Sequence, residues 1–453
     1  MKYTVAEFFC GCGGFSRGFA RSNRFDVVLG NDVKPAALRT FEFNHRRDNI
    51  IPAIMPGDIR TIALSRIENA LKDRGVESGE LDCLIGGPPC QGFSQLRRTE
   101  EREDGKIVKF RGYSKLAHDP RNDLVLRYLE VAERLRPKFI LIENVPQMLN
   151  HGFDGRLGKL SETVIEMLEK DLGYSVSVAV VNAADYGVPQ LRERALFIAS
   201  AVGAASFPST THAEPTRAQA SNKAPWVTVA AAIQDLPEPA IDRDDLGGKD
   251  MSLYLQTNSE FASLMRSSIA FPYNHITRKY NDSVLRIIKE MRPGKTWDAE
   301  SERMRNNYER MIDKFVGAQR VTRAAAKRQL IKAGKINAVF FKRYYWSAYT
   351  RLAWEMPALT ITANANFLGS GRFTHPETMR GITMREAARL QSFDDDFRFV
   401  TSERDNQDTA RIGVGMDMIG EAVPPLLALA IAKHLANQLD KRNSVGREQV
   451  SVA

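Results

Sequence analysis

Through its first two hundred residues the chain alternates short apolar runs with amphipathic stretches, and this alternation restricts the fold more than any other feature. Strand-like runs at 3–9, 27–31, 81–85 and 139–142 are separated by helical patterns at 35–43, 62–72 and 122–135. That rhythm predicts an α/β domain whose parallel sheet carries helices on both faces. A helix over 159–172 and strands over 175–181 and 195–200 continue it. The pattern breaks at 204–225, rich in Ser, Thr, Ala and Pro, which reads as a linker. From 225 to 354 the sequence is irregular and polar, with helical stretches at 302–315 and 322–333, and an apolar helix returns at 426–439. The expected organisation is a first domain over 1–204 completed by 400–453, and a smaller irregular domain over 205–399.

At 453 residues, 43% of them apolar, the chain can bury a substantial core. Its cysteines stand at 10, 12, 83 and 90, too few and too bunched for a disulfide framework, and the spacing lacks the second pair of a structural zinc site. No metal is expected, and reducing cytoplasm fits best. The longest apolar stretch, 422–432, carries two prolines and is short for a bilayer, and no signal-type segment opens the chain, so no membrane partner is expected. A net charge of +9 favours a polyanionic partner. Eight basic residues and no acidic one lie between Gly317 and Arg343, among them Lys327, Arg328, Lys342 and Arg343. The run leads into Phe340-Phe341 and Tyr344-Tyr345-Trp346. Basic groups interleaved with aromatics suit phosphate and base contact, and equally suit a solvated helix face beside a core strand.

The segment Gly86-Gly87-Pro88-Pro89-Cys90-Gln91-Gly92-Phe93-Ser94 sets one cysteine in a stiff turn just after an apolar strand. Most free cysteines are small buried hydrophobes. Here the prolines fix φ and remove two backbone donors, so the turn resists absorption into helix or ladder. Ligands of open α/β sheets bind at that strand edge, which makes Cys90 a candidate nucleophile.

After the first strand comes Phe9-Cys10-Gly11-Cys12-Gly13-Gly14, a glycine-rich turn opening a helix, of the kind that lets a ligand approach backbone amides. Asp32 ends the second strand and Asp58 follows the third, where ribose hydroxyls are read in nucleotide sites. The glycine spacing departs from Gly-x-Gly-x-x-Gly, which disfavours a nicotinamide cofactor. Glu143 tips the apolar strand at 139–142, where limited water raises a carboxyl's pKa and suits it to acid work. Arg192 and Arg194, two apart before a strand, are candidates to hold a carbonyl oxygen and a phosphate.

These motifs, in this order, resemble the cytosine-5 DNA methyltransferase family. The resemblance rests on Phe-x-Cys-Gly-Cys-Gly-Gly, Pro-Pro-Cys-Gln, Glu-Asn-Val and Gln-Leu-Arg-Glu-Arg. It extends to Asp119-Pro120-Arg121-Asn122-Asp123-Leu124, to Arg351 with Pro357-Ala358-Leu359-Thr360-Ile361-Thr362, and to Arg385-Glu386-Ala387-Ala388-Arg389-Leu390-Gln391. It ends with Gly420-Glu421-Ala422-Val423-Pro424-Pro425, where the family has asparagine in place of Glu421 and commonly glutamine in place of Met418.

The resemblance implies an S-adenosylmethionine-dependent, Rossmann-like methyltransferase sheet with a smaller target-recognition domain. It implies methyl transfer to C5 of a flipped-out cytosine in a specific short duplex, through a covalent bond from Cys90 to C6. Glu143 matches the group on N3 and the exocyclic amine, and Arg194, with Arg192 beside it, the group on O2. Cofactor contacts carry over to Phe9, Cys12, Gly14, Asp32, Val33, Asp58, Ile59, Gly87, Pro89, Leu124, Glu421 and Ala422. By the resemblance DNA contacts fall on Gln91 and Ser94; by their charge Arg97 and Arg98, in a long charged segment at 94–118 that reads as a lid, and Lys327, Arg328, Lys342 and Arg343 are further candidates. The expected setting is a monomer in the bacterial cytoplasm acting on double-stranded DNA, and whether a separately encoded restriction endonuclease accompanies it stays open at this level.

Three other readings stay open at this level. A silent DNA-binding relative is suggested by Glu421 alone. An RNA-directed relative predicts a compact recognition region, whereas 225–354 is large. A nicotinamide oxidoreductase requires a hydride-accepting cofactor.

Overall fold

The computed structural model describes residues 2–46, 51–89, 99–101, 107–109, 122–150, 159–242, 253–266, 272–401 and 411–451. The chain forms two compact units, Met1–Trp226 with Ala422–Ala453, and Val227–Glu421.

The first unit is built on a seven-stranded sheet. Its elements are β1 (Tyr3–Phe8), α1 (Gly14–Arg21), β2 (Phe25–Asp32), α2 (Pro35–His45), β3 (Ala53–Pro56), α3 (Leu64–Lys72), β4 (Cys83–Gly86), α4 (Asn122–Leu135), β5 (Phe139–Asn144), α5 (Lys159–Glu166), β6 (Ser175–Asn182) and β7 (Glu193–Ser200). The strand order is β3-β2-β1-β4-β5-β7-β6. Strands β1 to β5 pair in parallel, and β7 runs antiparallel to both β5 and β6. β4 and β5 are buried on both faces, which is why they read as unbroken apolar runs. Chain order reverses between β1 and β4, so their C-terminal ends open the crevice where such sheets bind ligands.

The sequence rhythm predicted a parallel sheet throughout, and the last pair departs from it. Only ten residues separate Asn182 from Glu193, too few for a crossover helix, so β7 turns back on β6. The segment read as a linker at 204–225 is bound to the first unit. Thr211 N–H donates to the Asp185 carbonyl at 2.9 Å, Trp226 Nε1 donates to the Asp185 carboxylate at 2.8 Å, and Ser206 Oγ lies 3.0 Å from His434 Nε2. The boundary between units therefore falls at 226/227 rather than 204/205, and the return begins at Ala422 rather than 400.

The C-terminal helix Pro425–Ser451 packs on α1. A Cβ on Gly18 would collide with Ala428 and come within 2.6 Å of the Leu429 amide, so only glycine permits the approach. Residues Ile412–Ser444 are long and apolar enough to cross a membrane by length and composition alone, more than the sequence reading of 422–432 credited. Leu427, Ala428, Ile431, Ala432, Leu435 and Leu439 are buried in the protein.

The second unit contains α6 (Trp297–Gln319), α7 (Arg323–Lys332), α8 (Met384–Leu390) and α9 (Ile412–Glu421). α6 is longer than predicted because Thr296 caps it at the Ala299 amide, with Asp298 and Glu300 in its first turn. α8 starts in a capping box between Thr383 and Glu386, and its two arginines point inward. Arg385 donates to the carbonyls of Tyr273, Asp394 and Phe397, while Arg389 binds Asp395 at 2.6 Å and Asp235 at 3.0 Å. Gly415 of α9 has Met384 of α8 where a side chain would stand, which ties 412–421 to this unit.

Behind the turn that follows β1 sits a buried polar chain. Glu7 Oε2 accepts the Ser16 N–H at 3.1 Å, and Ser16 Oγ lies 2.8 Å from His45 Nε2. Burial raises the Glu7 carboxyl from its ordinary 4.5 to about 8, and burial, with Arg17 nearby, lowers His45 to about 3. Folded Glu7 thus keeps a proton that the unfolded chain releases, so its contribution to stability is whole below pH 4.5 and is lost as pH rises to about 8. Thermal midpoints of wild type and Glu7→Gln measured from pH 5 to 8 should diverge, the wild type losing up to about 1.4 kcal/mol per pH unit relative to the variant. Parallel curves would mean that Glu7 is ionised in the fold.

Candidate active site

The turn after β1 is shaped by backbone conformations that few residues accept. Phe9, Gly11 and Gly13 have φ of 55°, 52° and 89°. A non-glycine residue in this region stores strain, and such strain gathers at functional sites. The turn is braced from the neighbouring strand. Cys10 N–H donates to the Asn31 carbonyl at 2.9 Å, and Gly11 N–H donates to Asp32 Oδ2 at 2.8 Å. A Cβ on Gly11 would meet nothing within 4 Å, so the backbone faces open space. Gly13 opens α1 without a side-chain cap, and Glu7 takes the Ser16 amide from behind. The front of the helix N-terminus is thereby left to suit a ligand carboxylate. The thiols of Cys10 and Cys12 are buried, and burial, reinforced by Glu7, pushes Cys10 well above the usual thiol range. Neither is poised as a nucleophile.

Asp32 and Asp58 stand at the same edge, after β2 and β3. Asp32 also accepts the Lys34 N–H at 2.8 Å through Oδ1. Asp58 caps the turn Ile59–Thr61 and pairs with Arg60, whose hydrogen bonds hold its carboxyl below the ordinary value. Each carboxylate retains acceptor capacity for a hydroxyl or amine. Ile59 is buried, Phe9 and Leu124 are half-buried, and Val33 is exposed. The Phe9 ring rests 6.3 Å from that of Tyr128, whose hydroxyl donates to the Leu141 carbonyl. This donor set, an open glycine turn with two acids beside it, fits an adenosine-bearing cofactor with an amino-acid end.

On the other side of β1, β4 runs into Gly87, Pro88 and Pro89. Asn144, ending β5, donates Nδ2 to the Pro88 carbonyl at 2.9 Å and accepts the Val145 N–H through Oδ1 at the same distance. One amide thus clamps the turn to the neighbouring strand. Glu143, one residue earlier, sends Oε1 to Arg194 Nε at 2.7 Å, with both side chains about nine-tenths buried. Its Oε2 lies 3.1 Å from where a Cβ of Gly87 would stand, so glycine there leaves the carboxylate room. Burial pulls the Arg194 guanidinium below its usual range while Glu143 opposes the shift, and the group stays charged. The pair offers an acceptor and a fork of donors side by side, the arrangement a flat heterocycle with an amine and a carbonyl requires.

Arg192, the other candidate catalytic arginine, is placed differently from Arg194. It is only 1% exposed and donates Nη2 to the Ala422 carbonyl at 3.1 Å, while its own N–H donates to Asn182 Oδ1. Its side chain turns inward and holds Ala422. Cys90, Gln91, Ser94, Arg97 and Arg98 lie outside the described residues, as does most of the segment read as a lid. In the second unit Lys327 is seated over the Phe341 ring, 3.5 Å from its centroid, whereas Arg328, Lys342 and Arg343 are exposed. Glu421 is exposed at the end of α9. Sequence reasoning gave no role to Glu7 or Asn144, the groups that support the two turns. A carboxylate just ahead of a glycine turn, and an amide beside the strand-end acid, were the available signals.

Residues 3–437 match the family model for C-5 cytosine-specific DNA methylase. The type II methyltransferase M.AgeI of Thalassovita gelatinovora is 29% identical over 94% of this chain and 97% of its own length. M.DdeI of Desulfomicrobium norvegicum is 26% identical over 99% and 92%. A crystal structure assigned to a DNA modification methyltransferase encoded within an E. coli prophage shares the fold, with a TM-score of 0.64 at 22% identity, covering 97% of this chain and all of that one. With the family model matched across nearly its whole length, the chain belongs to the C-5 cytosine-specific DNA methylase family and is a DNA (cytosine-5)-methyltransferase.

Proposed function

We propose that this enzyme methylates C5 of a cytosine swung out of a specific short sequence in duplex DNA, with S-adenosylmethionine as donor and a transient bond from Cys90 to C6. The observation that most supports this reading is the buried Glu143–Arg194 pair beside the Gly87–Pro89 turn, whose next residue is Cys90. Duplex stacking covers C5 and C6, so the nucleotide must leave the helix, which costs a few kcal/mol.

Carbon C5 of cytosine is a weak nucleophile. Addition of the Cys90 thiolate to C6 breaks the C5–C6 double bond and returns its electron pair to the ring as an enamine, which makes C5 reactive. Glu143 takes up a proton from solvent when the base binds, donates it to N3 as basicity grows there, and accepts from the exocyclic amine. Arg194, with Nε on Glu143, has further donors for O2. These contacts strengthen as charge develops, where they lower the barrier most. When bound, S-adenosylmethionine supplies an electrophilic methyl group. Phe9, Cys12, Gly14, Asp32, Val33, Asp58, Ile59, Gly87, Pro89 and Leu124 are the residues that would hold it, with Ala422 fixed by Arg192. Loss of the C5 proton to a base then expels Cys90 and restores the ring. The enzyme acts in the bacterial cytoplasm on duplex DNA.

A duplex carrying 5-fluorocytosine at the target cannot lose a C5 proton, so with the methyl donor it should become irreversibly crosslinked to the chain at Cys90. Cys90→Ala should neither crosslink nor methylate while still binding duplex, and methylation surviving in that variant would overturn the mechanism. Single-turnover rates should fall about 10²- to 10⁴-fold in Glu143→Gln and about 10²- to 10³-fold in Arg194→Met. Arg194→Met should also lower the thermal midpoint, because it strands a buried carboxylate.

A further inference from the structure

In the second unit, two segments far apart in sequence bring an arginine and a tryptophan together at the surface. The Arg372 guanidinium lies over the Trp346 indole, 5.1 Å from the ring centroid to Cζ. Trp346 is 40% exposed, beside Tyr345 at 5.7 Å between centroids. The buried Nε of Arg372 has no hydrogen-bond partner among the described residues, and the side chain is half-buried. The ring supports the guanidinium from one side, while its outer nitrogens retain their donors.

The two segments are held rigidly from below. The Trp346 carbonyl accepts the N–H of Trp297, a fully buried residue stacked on Phe340 at 5.3 Å. Tyr349 N–H donates to the Leu368 carbonyl at 2.7 Å, tying the aromatic segment to the turn that leads to Arg372. Phe373 is buried and its ring fills the space a Cβ on Gly371 would need. Arg351 donates Nη1 to the carbonyls of His375, Glu377 and Thr378, anchoring the chain just beyond.

We propose that Arg372, held over Trp346, is a specificity-determining residue that pairs with the O6 and N7 edge of one guanine in the recognition sequence. The inference rests on the DNA-methylating reading and deepens it. A cation meant for phosphate needs no aromatic support, and Arg328, Lys342 and Arg343 supply exposed charge for that purpose. A planar fork whose position is restrained by the ring beneath it matches the paired acceptors of guanine in the major groove.

The test expresses wild type, Arg372→Lys and Arg372→Met in bacteria lacking cytosine methylation and reads the methylated motif by bisulfite sequencing. Both variants should relax the motif at one guanine position, with discrimination there reduced about 10- to 100-fold. In a second measurement, 7-deazaguanine is placed at each guanine of the cognate duplex in turn. Wild type should lose rate at one position, and Arg372→Met should be insensitive at that position alone. A uniform loss across all sequences with an unchanged motif, or no loss at all, overturns the proposal. If Arg372→Met fails to fold, the wild-type analogue series still decides, because indifference to every 7-deaza substitution excludes an N7 contact. A wild type that methylates no DNA would refute the broader reading instead.

Discussion

Two backbone turns at one sheet edge must stay open and yet keep a fixed shape, and buried polar side chains meet that constraint. Glycine and proline turns have little side-chain mass with which to pack themselves into place. Here the turn after β1 is held by Glu7 at Ser16, by Asp32 at Gly11 and by the Asn31 carbonyl at Cys10. The turn after β4 is held by Asn144 at the Pro88 carbonyl. Each support comes from the edge or interior of the sheet, so the outward face of both turns remains free for ligands. A buried hydrogen bond made in this way is worth more than its modest net energy, because losing it strands a donor or acceptor out of water.

The Glu143–Arg194 pair follows the same logic with charge. A buried ion pair is a poor source of stability, since desolvation offsets most of the attraction. What it provides is preorganisation. The two groups sit on adjacent antiparallel strands, where register fixes their spacing before any substrate arrives. The reversal of β7 is what brings Arg194 to Glu143. The short connection from β6, which prevents a parallel crossover, is therefore also what completes the site.

Much of this was legible in the sequence, for identifiable reasons. Strands buried on both faces must be apolar throughout, which made β4 and β5 conspicuous, and the amphipathic pattern of α4 was read to its observed bounds of Asn122 and Leu135. The glycine turn and the strand-end acids at 32, 58 and 143 stood out because those residue types are unusual beside apolar runs. The antiparallel end of the sheet was hidden, since period and composition do not encode strand direction. The linker reading of 204–225 failed because Ser, Thr and Pro also build packed loops, here held by Asp185 and His434. Lys327 looked like a free cation in a basic run, and only three dimensions show it seated over Phe341.

The second unit solves a different problem with different means. Long loops carry backbone carbonyls into the interior, and apolar packing alone would leave them without partners. Beside its apolar core the unit uses buried arginines as struts. Arg351, Arg385 and Arg389 each bind several backbone carbonyls or carboxylates, and Arg380 binds Glu386 at 2.8 Å. Burial alone would raise the Glu386 carboxyl, and Arg380 overcomes that and holds it below the usual range. Bonds to backbone carbonyls fix the path of a loop without specifying its side chains. Side chains along that path, Arg372 among them, are thereby carried on a backbone whose course does not depend on their identity.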